Sequence, residues 1–230
     1  MKKIFDKNET LFSILVIIIY LVSNSIFLDK FDMFSWQTMT LNICLSLFIL
    51  FFICIFKLWN YFNLKKIPNP KKFLYFIPLF ILMSINLWGG IKIDNSLSEI
   101  IFYMVSMLFV GFLEEIIFRG FLFKMLEKDS LNVAILVSSL TFGVGHIINL
   151  FTGADPFFTI LQIIYATATG YLFAIIVVKG KSLWPCIITH SIVNALSVFA
   201  VNNTFTSIVS PIVLTIVPLF YAFYLNKRIN

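Results

Sequence analysis

The stretch Gly111-Phe112-Leu113-Glu114-Glu115-Ile116-Ile117-Phe118-Arg119-Gly120 sets three formal charges inside an apolar run from Ile100 to Phe123. A run of that length reads as a membrane helix. Charge at mid-bilayer depth is costly, so ionisable residues there face a bundle interior, find partners and mark functional sites. Helical geometry separates the three. Glu115 and Arg119 are four residues apart, carboxylate before cation, and so share a face on which they pair. Glu114 is turned about 100° from Glu115, out of that pairing geometry. The spacing therefore expects Glu115 to be neutralised by Arg119 and Glu114 to be left for chemistry.

Composition agrees with a membrane setting. Of the 230 residues 60% are hydrophobic and 12% charged, and the mean hydropathy is +0.98. Soluble domains hold roughly 45–50% apolar and about 25% charged residues. The length permits about eight helices of ~20 residues with short loops. The expected fold is all-α, a polytopic membrane bundle with a polar intramembrane cavity. Its spans are placed at 11–28, 37–56, 73–90, 98–123, 131–150, 157–178, 182–200 and 205–225. Residues 1–97 would hold three N-terminal spans and a cytoplasmic loop over 57–72. Residues 98–200 would form the core, and 201–230 the last span and tail, all in one integral membrane domain.

The net charge of +6 does not point to nucleic acid, because the basic residues lie between apolar runs. Membrane topology accounts for them better. With the N-terminus in the cytoplasm, 14 of the 17 Lys and Arg residues fall in cytoplasmic segments. Lys30 and Lys92 lie outside, and Arg119 lies within a span. Both termini are expected in the cytoplasm, and the Lys-, Asn-, Ile- and Phe-heavy composition suits the plasma membrane of a bacterium. Lys2 and Lys3 ahead of the first span resemble a signal-peptide start. Ser23-Asn24-Ser25 is a poor cleavage site, so a retained anchor is expected. Cys44, Cys54 and Cys186 fall in apolar runs without metal-type spacing and read as small buried apolar residues. The loop Asn60–Lys72, with Pro68, Pro70 and four lysines, is expected near anionic headgroups.

The chain's two histidines both fall within expected spans. His146 follows Thr141-Phe142-Gly143-Val144-Gly145, whose glycines allow close helix approach. His190 precedes Asn194 by one turn, so both project from one face. Taken singly, each has an ordinary reading: a histidine bonded to a neighbouring helix, a chance His/Asn spacing, a structural ion pair at Glu115/Arg119. The functional reading rests on Glu114, His146, His190 and Asn194 converging from three helices. At 1.5 Å per residue from the cytoplasmic ends, Glu114 lies ~14 Å deep, His190 ~12 Å and His146 ~22 Å. The fifth span must tilt, or start below the membrane surface, for His146 to join them.

A carboxylate and a histidine around one water can take its proton and aim it at a carbonyl. A second histidine with an asparagine can donate to the resulting oxyanion. That is peptide hydrolysis without a covalent intermediate. Two histidines and a glutamate also suit a catalytic zinc that keeps a position for water. Glu114, His146 and His190 are then the candidate ligands, although no H-E-x-x-H helix is present. The residues leave both mechanisms open.

Glu114-Glu115-x-x-x-Arg119, Phe142-x-x-x-His146 and His190-x-x-x-Asn194, in this order, resemble the CPBP (CAAX protease and bacteriocin-processing, or Abi) intramembrane proteases. That group includes the type II CAAX prenyl endopeptidase. The resemblance spans roughly 98–200, and the first three spans carry no family motif. It implies a helical membrane bundle whose cavity opens to the cytoplasmic side. It implies Glu114 as the base, His146 helping to hold the water, and His190 with Asn194 as the oxyanion site. Glu115 and Arg119 would support them, with Glu115 sometimes counted as catalytic. Members are commonly called metalloproteases, whereas the structural picture of the prenyl-protein member favours a glutamate-activated water. Eukaryotic members trim prenylated proteins, while bacterial relatives are linked to bacteriocin maturation or self-immunity, or act as scaffolds. The expected function is an intramembrane endopeptidase acting on a membrane-associated peptide or protein among membrane lipids. The alternative is a non-catalytic immunity or scaffold protein. A proton-coupled transporter would use the same buried Glu and His, but the two halves show no repeat.

Overall fold

The computed structural model describes Phe5 and residues 7–229. Lys2 and Lys3, counted above with the cytoplasmic cations, lie outside the described residues.

Most helices begin at a residue that caps their free N–H groups. Asn8 opens α1 (Glu9–Lys30) and Ser35 opens α2 (Trp36–Ile55). A 3₁₀ segment, Pro70–Phe76, leads into α3 (Ile77–Ser84) and a 3₁₀ turn at Ile85–Leu87. A capping box of Ser96 and Glu99 starts α4 (Leu97–Glu115). This helix runs on through a π-helical segment, Ile116–Leu122, into α5 (Phe123–Glu127). Ser130 caps α6 (Leu131–Gly145), which tightens to 3₁₀ over His146–Thr152. Asp155 caps α7 (Pro156–Gly180). Then come α8 (Trp184–Leu196), a 3₁₀ turn at Ser197–Phe199, and α9 (Thr204–Arg228). Among the described residues no strand forms, and Ile91 and Ala200 make an isolated bridge. The fold is the expected all-α bundle.

Six helical stretches are long and apolar enough to cross a membrane: Glu9–Lys30, Trp36–Ile55, Leu97–Glu127, Leu131–Phe151, Pro156–Gly180 and Thr204–Arg228. Their outward faces expose Ile18, Val22, Phe51 and Phe220, a surface suited to acyl chains. This is an integral membrane protein. The third and seventh expected spans fall short, at Ile77–Leu87 and Trp184–Phe199. Proline is the reason in the third, because Pro70 and Pro78 lack N–H donors. Phe76, at φ +61°, breaks the helical path between them. In the seventh, Pro185 sits in the first turn of α8 and the chain turns extended at Ala200. Irregular backbone at membrane depth persists where it lines a cavity, and Ala200–Asn202 do line one.

The packing brings motif helices together. Helix α4 lies along α8, and α7 packs against both α6 and α9. A Cβ on Gly111 would lie 2.6 Å from Ser191 Cα, so the α4–α8 approach depends on glycine. Gly143 likewise faces Ile163 and Thr167 of α7, whereas Gly145 has open space beside it. The expected close approach thus belongs to Gly143 alone. Of the cysteines, Cys186 is buried, but Cys44 and Cys54 are exposed. They sit on outward faces of α2, which an all-apolar run could not reveal.

Candidate active site

Helix α4 delivers both glutamates from its last turn. The π-helical segment that follows, a feature frequent at functional sites, carries Arg119. Arg119 Nη1 donates to Glu115 Oε1 at 2.9 Å, and both side chains are fully buried. The guanidinium lies 4.3 Å from the centroid of Phe142 and 5.6 Å from that of Phe173. Such aromatic faces stabilise a desolvated cation. Gly170 leaves room for it, since a Cβ there would stand 2.8 Å from Arg119 Nη2.

His190, on α8, joins the two glutamates. Its Nδ1 is 2.8 Å from Glu115 Oε1, the same oxygen that takes Arg119. A carboxylate paired with arginine has no proton to give, so Nδ1–H is the donor. His190 Nε2 then faces Glu114, 3.5 Å from Oε2. The other oxygen, Glu114 Oε1, accepts from Tyr20 Oη at 2.8 Å. Five side chains therefore run in series: Tyr20, Glu114, His190, Glu115 and Arg119. Exposure changes along the series, from 19% for the Glu114 side chain and 11% for His190 to 0% for Glu115.

His146 stands where α6 ends and the 3₁₀ turn begins. Its ring meets Phe142 edge-on at 5.6 Å, and Phe142 meets His190 edge-on at 5.4 Å. Phe142 thus spaces the two histidines. A cavity of about 250 Å³ is lined by His146, His190, Asn194, Asn86 and Gln162. A second, about 200 Å³, is lined by Glu114, Tyr20, Asn42 and again His146. The structure gathers Glu114, Glu115, Arg119 and His190 into direct contact and sets His146 in the wall of both cavities. Asn194 lines the first cavity but not the second.

Tyr20 is the site residue that motif reasoning did not find. Its signal was weak: a phenol in the middle of a helix of aliphatic side chains, whose hydroxyl needs a partner when buried. Phe142 was visible only as a motif position, and its contacts with Arg119 and both histidines come from packing.

The zinc expectation has no cage to fill. Among the described residues, no three His, Cys, Asp or Glu side chains are grouped to hold a metal ion. Both ring nitrogens of His190 face carboxylates.

Residues 96–196 match the family model described as type II CAAX prenyl endopeptidase, Rce1-like. Over that segment the chain is similar to the CAAX protease family. The matched segment holds Glu114, Glu115, Arg119, His146, His190 and Asn194, while Tyr20 lies outside it. A Bacillus subtilis (strain 168) protein named "Putative membrane peptidase YdiL" is 35% identical over 92 residues. That alignment covers 40% of this chain and 33% of the relative, so the chain spans about a third of the length of the curated relative it matches. No solved structure matches the chain.

Proposed function

We propose that the protein is an intramembrane endopeptidase that hydrolyses a peptide bond of a membrane-associated peptide or protein with a glutamate-activated water. The observation that carries this reading is the setting of Glu114, with a hydrogen bond from Tyr20 on one oxygen and His190 near the other. Tyr20 holds Oε1, Oε2 stands 3.5 Å from His190 Nε2, and Glu114 shares a cavity wall with His146. A water at Oε2, steadied by His146 across the shared cavity, loses its proton to Glu114 as it adds to the scissile carbonyl. The oxyanion takes hydrogen bonds from His190 Nε2–H and the Asn194 side-chain amide. With Nδ1–H given to Glu115, His190 donates from Nε2 only as the imidazolium, a cation set between two carboxylates. The tetrahedral species then collapses, its C–N bond breaks, and Glu114 returns the proton to the departing amine. The products are a carboxylic acid and an amine, which exchange a proton in water to give carboxylate and ammonium, and no bond to the protein forms.

Glu115 and Arg119 act here through His190. On this reading residues 98–200 are the catalytic core, 1–97 supply Tyr20, and 201–230 close the bundle. Cleavage by the purified protein in detergent is lost in a folded Glu114→Gln variant. Retained cleavage in that variant would overturn the proposal, and would leave immunity or scaffolding as the role to test.

A further inference from the structure

The two short helices α3 and α8 pack on each other and leave a groove that the chemistry above does not use. Its volume is about 640 Å³, within the roughly 300–1,000 Å³ of ligand pockets. Phe76, Leu79 and Phe80 wall it on the α3 side, and Trp184, Ile188 and Ile192 on the α8 side. Phe80 is 62% exposed and Ile188 50%, so the groove opens sideways toward lipid. From Trp184 to Ile192 the helix rises about 12 Å at 1.5 Å per residue. That depth stays within one leaflet of a hydrocarbon core about 30 Å thick. A groove of this length takes one acyl chain.

Its charge lies at one end. Lys66 and Ser182 line the groove beside the start of α8. Two contacts hold the loop there: Leu183 N–H donates to Asn63 O at 2.8 Å, and Ile67 lies against Gly180. Residues 57–72 hold five lysines and no acid. Lys124 and Lys128 are matched by Glu127 and Glu9, but among the described residues no acid pairs with Lys65, Lys66, Lys71, Lys72 or Lys181. Ser182 is 1% exposed, and its Oγ has no hydrogen-bond partner among the described residues. No side chain caps the first turn of α8, and a helix N-terminus favours phosphate. Trp184 suits the headgroup level, where membrane tryptophans collect.

We infer that the α3–α8 groove holds one anionic phospholipid, with an acyl chain between the two helices and its phosphate at Lys66, Ser182 and the start of α8. Basic pockets between membrane helices bind such headgroups. A lipid tail on a substrate would fill the apolar part but would leave the unpaired lysine and the buried serine without a partner. Thr189 lines both this groove and the His190 cavity, so the bound chain backs the helix that carries the histidine. The inference does not depend on the peptidase reading.

Trp184 reports on the groove directly. Changing Trp36, Trp59 and Trp88 to phenylalanine leaves it as the sole fluorophore of its kind. The protein is placed in phosphatidylcholine vesicles that contain increasing fractions of either phosphatidylglycerol or phosphatidylcholine with brominated acyl chains, which quench a nearby indole. One lysine near an anionic headgroup is worth about fivefold, so half-quenching is expected at about fivefold less brominated phosphatidylglycerol than brominated phosphatidylcholine. Lys66 is exposed, so Lys66→Glu keeps the fold and brings the two curves together. Lys65→Glu, the same change in charge outside the groove lining, keeps them apart. Coincident curves in the parent, a preference that survives Lys66→Glu, or one lost equally in Lys65→Glu overturns the inference. So does a farnesylated cysteine peptide that relieves the quenching at lower mole fraction than unbrominated phosphatidylglycerol, a result that would give the groove to a substrate's tail.

Discussion

Tyr20 and Glu114 are 94 positions apart and joined by a 2.8 Å hydrogen bond from the phenol to the carboxylate. Tyr20 belongs to α1, the least buried of the six long helices, yet its own ring is only 7% exposed. A loosely packed helix outside the family-matched segment therefore reaches the carboxylate on which the proposed chemistry turns.

Tyr20→Phe keeps the ring and removes the donor. A hydrogen bond to a charged group contributes about 1.5–3 kcal/mol, and each 1.36 kcal/mol is tenfold in rate. The expected result is a fall in kcat of ~10-fold or more with KM little changed, because the bond orients the base and does not touch the substrate. A kcat equal to that of the unmodified protein would remove Tyr20 from the site.

Arg119→Ala should destabilise the protein more than Glu114→Gln. Removing one partner of a buried pair leaves an uncompensated charge, at a cost of about 3–5 kcal/mol. Glu115 and Arg119 are both at 0% exposure. Glutamine at position 114 keeps an oxygen for Tyr20 and loses only charge. Thermal unfolding in detergent tests this, and equal Tm values for the two variants would refute it.

Gly111→Ala should loosen the α4–α8 contact. The new Cβ would stand 2.5 Å from Ser191 N, against backbone that cannot swing aside. Overpacking of this kind costs about 1–3 kcal/mol. Ser191 adjoins His190, so the Glu115–His190 bond stretches as the helices separate, and both Tm and cleavage fall. Gly145→Ala is the matched control, with no atom within 4 Å of its Cβ, and leaves Tm unchanged. Equal effects of the two substitutions would sink the argument.

Chelation should leave activity intact. The candidate ligands Glu114, His146 and His190 form no metal-holding group among the described residues, and the ring nitrogens of His190 face Glu114 and Glu115. Zinc counted per purified chain, with cleavage assayed before and after EDTA, decides this. Activity that tracks one bound zinc would require His190 to leave its present carboxylate neighbours and would overturn this expectation.

The parts of this protein legible from residue order alone are those set by short-range geometry. Long apolar runs specify membrane helices because backbone polar groups in lipid must be satisfied within the segment. The Glu115–Arg119 pair followed from i,i+4 spacing, and the His190/Asn194 pair from one helical turn. The shortness of α3 and α8 was obscured because mean hydropathy does not register what Pro70, Pro78 and a left-handed Phe76 do to a helix. Only packing could decide that one histidine ring stands between adjacent glutamates, since His190 and Glu115 are 75 positions apart. Packing also decided that Tyr20 meets Glu114, and that His146 stands in the wall of two cavities. Each depends on which helix faces touch. A helix's own periodicity says which face is apolar, but in a membrane nearly every face is, so the partner is chosen by close fit between distant segments.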